Sequence, residues 1–176
     1  MAGQDILSWN AMIAGFAQHG QGKEALDLFG KMQLAGIKPD HITYVGVLSA
    51  CSHEGMVDEG YHYFDSMERD YGIIPREEHY ACMVDLLACV GQLIDAELFI
   101  NNMPFEPRSL VWRTLLSACR LHCNAELGEH ATRCLLKLEP QDMATYVLLS
   151  NIYASAGRWD DKENLRDLMK GKKSLE

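Results

Sequence analysis

The sequence has no apolar run long enough to cross a membrane and no excess of basic residues. Its 16 Lys and Arg residues stand against 25 Asp and Glu residues, which gives a net charge of −9 over 176 residues. This charge excludes a general electrostatic affinity for nucleic acid or for an anionic membrane surface. Residues 1–5 have the character of neither a signal peptide nor a transit peptide. We therefore expect no membrane partner.

The cysteines lack the spacing of metal and redox motifs, since no pair forms C-x-x-C. Cysteines scattered through helical patterns favour free thiols in a reducing compartment over a disulfide framework. Cys119 and Cys123 are one helical turn apart with His122 close by, but Cys119 falls on a packing position of the repeat described below. Gly-rich phosphate loops and a Ser-His-Asp pattern are also missing. We expect no bound metal, no cofactor and no enzymatic activity in this chain.

What the sequence does contain is an internal repeat. An aromatic residue recurs at steps of 35, 36, 32 and 34 residues, at Trp9, Tyr44, Tyr80, Trp112 and Tyr146. A pattern with this period is typical of a helical solenoid, in which each repeat is one supersecondary unit packed on its neighbours.

Other positions repeat with the same period. Eleven residues after each aromatic anchor comes a turn residue, at Gly20, Gly55, Gly91, Cys123 and Gly157. A turn at a helix end favours glycine, so we expect Asn124 to take the left-handed conformation in place of Cys123. Sixteen residues after the anchor the side chains are mostly small, at Ala25, Gly60, Ala96, Gly128 and Lys162, which suits close helix crossing. The apolar end of each second helix is predicted at Met32, Met67, Met103, Leu135 and Met169.

These positions predict an all-α, right-handed α-solenoid of five helix-turn-helix repeats, with about ten helices and no central core. Pro39, Pro75, Pro107 and Pro140 are expected to end the second helix of the first four units. Residues 1–5 form an N-terminal tail ahead of this single continuous stack.

The units resemble the pentatricopeptide repeat. Residues 6–40 have its length, its aromatic-Asn start and its terminal Pro-Asp, whereas residues 41–76 are similar to the long variant and residues 77–108 to the short variant. Residues 109–142, with VWRTLLSACRLHCNAELGEHA, resemble a first E motif, and residues 143–176, with TYVLLSNIYASAGRWDD, a second one. This order is similar to the PLS subfamily of plant organellar proteins.

The resemblance implies recognition of single-stranded organellar RNA, one base per repeat, by the fifth and last residues of each unit. In the first unit these are Asn10 and Asp40, the family's combination for uracil, with Leu7 as an apolar wedge against the base. An ionised carboxylate accepts but does not donate, so Asp40 would orient the Asn10 amide directly or through water. The alternative is that Asn10 caps a turn and Asp40 starts the next helix.

The next units depart from this code. The long unit carries Val45 and Arg76, and the short unit Ala81 and Arg108; neither Val45 nor Ala81 can discriminate base edges. In a regular stack Arg76, Arg108 and Arg113 would line one groove and hold phosphates without reading sequence. The alternative is that they are solvated surface arginines that pair with Glu77, Glu78 or Glu106.

The resemblance also implies a role in cytidine-to-uridine RNA editing, in a plastid or a mitochondrion. The DYW-type cytidine deaminase of such systems carries H-x-E and P-C-x-x-C motifs, and this chain has neither. The deaminase would act in cis or in trans and be recruited by the E motifs. Candidate contacts to such a partner are Tyr153, Trp159, Leu165, Leu168 and Met169. The alternative is that Tyr153 is a core residue and Trp159 staples its hairpin.

Two hypotheses therefore stand. The chain is a C-terminal fragment of an RNA-binding editing factor, whose long unit at residues 41–76 is expected to bind the multiple organellar RNA editing factors. The alternative is a protein-interaction scaffold, similar to tetratricopeptide repeats, with little RNA binding of its own.

Overall fold

The computed structural model of the protein describes residues 5–173, so parts of the predicted N-terminal tail and of the predicted last unit lie outside the described residues. Within that range there are ten α-helices and no β-strand, which confirms the all-α prediction. The helices are α1 Ile6–Gln18, α2 Gly22–Leu34, α3 His41–Glu54, α4 Val57–Tyr71, α5 Glu77–Cys89, α6 Leu93–Asn101, α7 Ser109–Leu121, α8 Ala125–Leu138, α9 Met143–Ser155 and α10 Trp159–Lys173. None of these ten helices combines the length and apolar character needed to cross a membrane.

The residues predicted to end the first four units are the N-caps of the helices that follow them. Asp40 and Asp142 cap α3 and α9, where their side chains accept hydrogen bonds from backbone N–H groups near the helix start. Asp5 caps α1 in the same way. Arg76 and Arg108 take the same position before α5 and α7 and have extended backbones. One sequence position thus both ends a unit and starts the following helix.

The five hairpin turns contain a residue with positive φ, and four of these residues are the predicted glycines. The prediction for the fourth turn was wrong, because Cys123 itself has φ of 53°. Asn124 has φ of −91° and caps α8, accepting a hydrogen bond from the Leu127 N–H at 3.1 Å. An asparagine at a helix start satisfies an otherwise unpaired donor, and this role prevails over its tolerance of the left-handed region.

The helical contacts divide the chain into two compact parts, an N-terminal part, Met1–Gln92, and a C-terminal part, Leu93–Glu176. In the N-terminal part, the leading helices of successive hairpins pack in series, α1 on α3 and α3 on α5. Helices α2 and α4 pack against them. The core between these helices is aromatic. The Phe29 ring meets Tyr44 and Tyr63 edge to face at centroid distances of 5.6 and 5.7 Å. The hydroxyls of Tyr44 and Ser66 are hydrogen-bonded at 2.9 Å in this core.

In the C-terminal part, α7 packs on α6, α8 and α9, and α9 packs on α8 and α10. Its core includes the fully buried residues Val111, Leu115, Cys119, Leu135 and Ile152. Helix α6 ends at Asn101, so the placement of Met103 at the end of a second helix was wrong. Pro104 follows Met103, and a residue before proline is disfavoured in the helical region.

Small residues allow the helices of neighbouring hairpins to approach closely. A Cβ placed on Gly60 would lie 2.3 Å from Leu86 Cδ2, and one on Gly128 would lie 3.0 Å from Ile152 Cδ1. These contacts join the second helix of one hairpin to the first helix of the next. The recurring small residue in the sequence therefore marks a helix crossing.

Helix α2 offers a matched pair of glycines to test this packing. A Cβ on Gly22 would lie 2.7 Å from the Ala50 carbonyl oxygen and 2.4 Å from Glu54 Cγ, whereas a Cβ on Gly30 would meet nothing within 4 Å. We expect Gly22→Ala to lower the free energy of unfolding by about 1–3 kcal/mol, because backbone must move. Gly30→Ala should raise it by roughly 0.5–1 kcal/mol through helix propensity. Urea unfolding of both variants measures the difference, and equal effects would contradict the packing.

Candidate functional site

The structure brings Asn10 and Asp40 together with a third residue, Thr43. Asn10 Nδ2 donates to Asp40 Oδ1 at 3.1 Å, and the Thr43 hydroxyl donates to Asn10 Oδ1 at 2.6 Å. Asn10 is only 6% exposed and Thr43 is fully buried. Both polar atoms of the Asn10 side chain are therefore engaged, one by the last residue of its own unit and one by the unit that follows. The direct contact between Asn10 and Asp40 is one of the two arrangements that the sequence predicts.

Thr43 and Asp40 also form a capping box at the start of α3. The Thr43 N–H donates to Asp40 Oδ1 at 2.9 Å, and the Asp40 N–H donates to Thr43 Oγ1 at 3.0 Å. The Thr43 hydroxyl has a single hydrogen, and Asp40 Oδ1 is also 3.0 Å away. The shorter 2.6 Å approach is to Asn10. Helix capping and amide contact are thus combined in three side chains.

Asp40 is held in its ionised form. Burial raises the pKa of this carboxyl, but hydrogen bonds from the Thr43 N–H and from Asn10, together with nearby His41, outweigh burial and leave the pKa below its usual value. An ionised carboxylate can only accept hydrogen bonds. The amino group of Asn10 must therefore face Asp40, and the carbonyl must face Thr43.

The alternative role for Asn10 is wrong, because it lies inside α1 and Asp5 is the residue that caps this helix. The alternative role for Asp40 is compatible with the network, since Asp40 does start α3. Leu7 is 67% exposed on α1, three residues before Asn10. Residues at this spacing lie on the same side of a helix, so Leu7 and Asn10 are neighbours.

The long unit has a different arrangement at the equivalent positions. Val45 is half-buried and offers no polar group, and Arg76 is exposed. The Arg76 N–H donates to His79 Nδ1 at 2.9 Å, and His79 Nε2 is 2.8 Å from the His41 carbonyl oxygen. Because Nδ1 accepts, the proton lies on Nε2, which donates to His41. His79 is fully buried, and this burial lowers its pKa.

The fifth and last residues of the third unit take part in no amide network like that of Asn10. Ala81 is buried on α5, and Arg108 is exposed at the start of α7.

Arg113 is held by two carboxylates and is not a free cation. Its guanidinium forms an ion pair with Asp142 at 2.9 Å and a second with Glu139. Asp142 also accepts a hydrogen bond from the Thr145 hydroxyl at 2.5 Å. This bond is the largest cause that lowers the pKa of Asp142. Burial opposes it, and Arg113 and the Ala144 N–H lower the pKa further.

Arg113 and Asp142 thus pair as Asn10 and Asp40 do, with a cation in place of the amide. The capping N–H here is that of Ala144, and the Thr145 hydroxyl donates to the carboxylate. The partners expected from the sequence for this arginine were Glu77, Glu78 or Glu106, and the structure pairs it with Glu139 and Asp142 instead.

Tyr153 lies inside a polar cluster with Glu129 and Arg158. Its hydroxyl donates to Glu129 at 3.0 Å, and the Arg158 guanidinium lies 4.9 Å above its ring and 2.8 Å from the same carboxylate. Burial, and then Glu129, raise the pKa of Tyr153 to about 12. Tyr153 is 8% exposed, so little of it is available to a partner.

Helix α10 carries the other partner candidates. Leu165 is buried at 8% exposure and Met169 is half-buried, whereas Trp159 and Leu168 are 60% and 63% exposed. The Lys162 ammonium lies 5.2 Å above the Trp159 ring. Trp159 and Leu168 are therefore the accessible apolar side chains of this set.

The cysteines are free thiols, and Cys119 is fully buried as a packing residue, as predicted. Burial raises the pKa of its thiol to about 12. Among residues 5–173, no group of three or more His, Cys, Asp and Glu side chains is placed to hold a metal ion.

The ten helices form successive hairpins, and a hydrogen-bonded network of Asn10, Asp40 and Thr43 joins the first hairpin to the second. This architecture is that of a helical-repeat protein. Family models match three parts of the chain: a PPR repeat family at residues 4–53, a PPR repeat at residues 42–71 and an E motif at residues 122–174. The chain belongs to the pentatricopeptide repeat family and carries an E motif.

Relatives from Arabidopsis thaliana are similar along nearly all of this chain. One pentatricopeptide repeat-containing protein is 53% identical over 170 residues, which are 97% of this chain and 24% of the relative. A chloroplastic one is 52% identical, with 97% and 20% covered, and a mitochondrial one is 49% identical, with 97% and 27% covered. The chain thus spans about a quarter of the length of these relatives.

Solved structures share the fold. The pentatricopeptide repeat protein PPR10 in complex with an 18-nucleotide psaJ RNA element has a TM-score of 0.82 at 22% identity, over 95% of this chain and 25% of PPR10. The PPR domain of Arabidopsis thaliana protein-only RNase P 1 in complex with tRNA has a TM-score of 0.62 at 16% identity, over 93% of this chain and 90% of that domain.

The buried His79 gives the protein a testable pH dependence. Because its folded pKa lies below the usual value of 6.5, its contribution to stability is complete above that pH. As pH falls below 6.5 toward the folded pKa, the unfolded chain binds a proton that the folded chain does not, and stability declines. Urea unfolding at about pH 7.5 and about pH 5.5 measures this decline.

His79→Gln should lower stability at both pH values and remove this part of the decline. The exposed His53→Gln should retain it. A His79→Gln variant with the full wild-type pH dependence would show that His79 does not carry it.

Proposed function

We propose that this chain is part of a sequence-specific single-stranded RNA-binding protein and that Asn10 reads one base. The observation that carries this proposal is the hydrogen-bonded network of Asn10, Asp40 and Thr43. An amide has two N–H donors and two acceptor lone pairs. Asp40 takes one donor and Thr43 one lone pair, so one donor and one acceptor remain for a base edge.

The neighbouring side chain suits the same task. Leu7 is exposed on the same side of α1 as Asn10 and can contact the face of a base whose edge meets the amide. Single-stranded bases are recognised by contacts of these two kinds, to the face and to the edge. Because the chain carries a net charge of −9, its binding would depend on base contacts in register more than on general phosphate attraction.

The finer function concerns the longer protein. We propose that it belongs to the PLS type and acts in cytidine-to-uridine editing of organellar RNA. The match to an E motif and the relatives named chloroplastic and mitochondrial support this proposal. The E motif would recruit a DYW-type deaminase supplied in cis or in trans, and the exposed Trp159 and Leu168 on α10 are the side chains we assign to that contact.

A scaffold for protein partners is the second candidate, favoured by the fourth unit. Its fifth and last residues, Arg113 and Asp142, form an ion pair where the first unit has an amide and a carboxylate. We therefore assign no base to this unit, and contact with protein is the function we propose for it.

Replacing Asn10 tests the reading of a base. Asn10→Ser shortens the side chain, removes its contact with Asp40 and leaves room for a larger base, so preference should shift from uracil toward a purine. One hydrogen bond changes a preference several-fold. The shift should be confined to one nucleotide, measured by anisotropy with strands that differ there, on the chain extended ahead of Ile6 by repeats of known preference.

Asn151→Ser is the matched control, since Asn151 is exposed on α9. It should leave all preferences unchanged. An equal loss of affinity for all four bases in Asn10→Ser would show that Asn10 is structural and that the proposed code does not operate.

The long unit offers an apolar surface for a protein cofactor. Ile74 is 73% exposed and is the most apolar exposed side chain of an open pocket of about 530 Å³, whose other lining residues are Pro39, Asp40, His41, Gly72, Ile73 and Arg76. Deleting residues 41–76 would also remove the buried core of α3, so a substitution of an exposed residue is the sharper test. Ile74→Ser should weaken capture by multiple organellar RNA editing factors about tenfold, the effect of losing one buried apolar side chain.

Leu34→Ser is the control, because Leu34 is 90% exposed in the first unit and lies outside the long unit. Capture that is equally strong with wild type and Ile74→Ser would place the cofactor elsewhere.

A further inference from the structure

We infer that Thr43 is a positioning residue that favours uracil over cytosine at Asn10. This inference rests on the proposed reading of a base by Asn10. Thr43 belongs to the second unit, so the base choice of the first unit would depend on a side chain that follows its last residue.

The two pyrimidines differ in the order of their hydrogen-bonding groups. Uracil presents a donor at N3 beside an acceptor at O4, and cytosine presents an acceptor at N3 beside a donor at N4. A primary amide can pair with either edge, but only after a half-turn that exchanges its oxygen and its nitrogen. Whichever groups hold the amide in one orientation therefore decide between uracil and cytosine.

Two contacts hold the Asn10 amide in the same orientation. The Asp40 carboxylate accepts from Nδ2, and the Thr43 hydroxyl approaches Oδ1 to 2.6 Å. The Asp40 N–H donates to the Thr43 oxygen, which leaves its hydrogen for donation. A half-turn of the amide would turn the carbonyl oxygen toward the Asp40 carboxylate. The Thr43 hydroxyl would then have to give its hydrogen to Asp40 Oδ1, 3.0 Å away, in place of the shorter bond to Asn10.

The surroundings leave no substitute for this bond. Thr43 is fully buried and Asn10 is 6% exposed, so water does not replace a hydroxyl that is removed. An amide oxygen that loses its donor in a buried site also loses the orientation that the bond favoured.

The fourth unit separates this role from helix capping. Thr145 occupies the same place relative to the cap Asp142, and its hydroxyl donates to that carboxylate at 2.5 Å. The residue at the fifth position of that unit is Arg113, which has no oxygen to orient. A threonine in this place is therefore a capping residue in both units, and it meets an amide at Asn10.

The test compares three variants of the chain extended ahead of Ile6 by repeats of known base preference. Thr43→Val should reduce the preference for uracil over cytosine at one nucleotide, on the order of fivefold. Its preference for pyrimidines over purines should stay the same, because either orientation of the amide fits a pyrimidine. Thr43→Ser restores the hydroxyl and should restore the preference. Thr145→Val loses the equivalent hydroxyl and should leave the preference unchanged.

The outcomes distinguish this inference from the proposed function. An unchanged ratio of uracil to cytosine in Thr43→Val, with a shifted preference in Asn10→Ser, would overturn the role of Thr43 and leave the reading by Asn10 intact. A wild-type chain with no preference at that nucleotide would overturn both.

NMR of the unmodified chain gives a measurement that does not depend on a folded Thr43→Val. The Thr43 hydroxyl proton should be protected from exchange and show a nuclear Overhauser effect to the Asn10 side-chain amide. Rapid exchange of this proton would overturn the inference.

Discussion

The carboxylate of Asp40 is the constraint on which the rest of the site depends. It caps α3 through the Thr43 N–H, and the same oxygen accepts from the amide of Asn10 in the preceding hairpin. The start of one helix and the orientation of a side chain on another are thereby set by one charged group. Because the pKa of Asp40 is lowered, this group keeps its charge at neutral pH and both bonds persist.

The same position varies along the chain, and its chemistry varies with it. Asp142 repeats the capping carboxylate but holds the cation of Arg113, so a guanidinium takes the place that the Asn10 amide has in the first unit. Arg76 and Arg108 place a cation at the helix start, and at Arg76 the capping contact is made by the backbone N–H to His79. A repeat fold thus preserves the helix junction while its side chains change from an amide network to an ion pair.

Much of the architecture follows from sequence spacing, because each repeat position packs in the same way. The aromatic anchors and turn residues predict the hairpins, whereas the contact of Asn10 with Asp40 was implied by the resemblance to the pentatricopeptide repeat. Thr43 was missed because the usual capping-box signal is Glu or Gln three residues after the N-cap, and here a threonine takes that place. The ion pairs of Arg113 had no such signal, since Glu139 and Asp142 are distant in sequence and their approach depends on how α7 packs on α8 and α9.

The most direct test of the central claim is a crystal structure of this chain, extended ahead of Ile6 by repeats of known base preference, with a single-stranded RNA that places uracil at the first unit. The account predicts the uracil edge within hydrogen-bonding distance of the Asn10 amide, the base face against Leu7, and the bonds of Asn10 to Asp40 and Thr43 unchanged. A base bound away from Asn10, or an Asn10 amide turned away from Asp40 on binding, would contradict it.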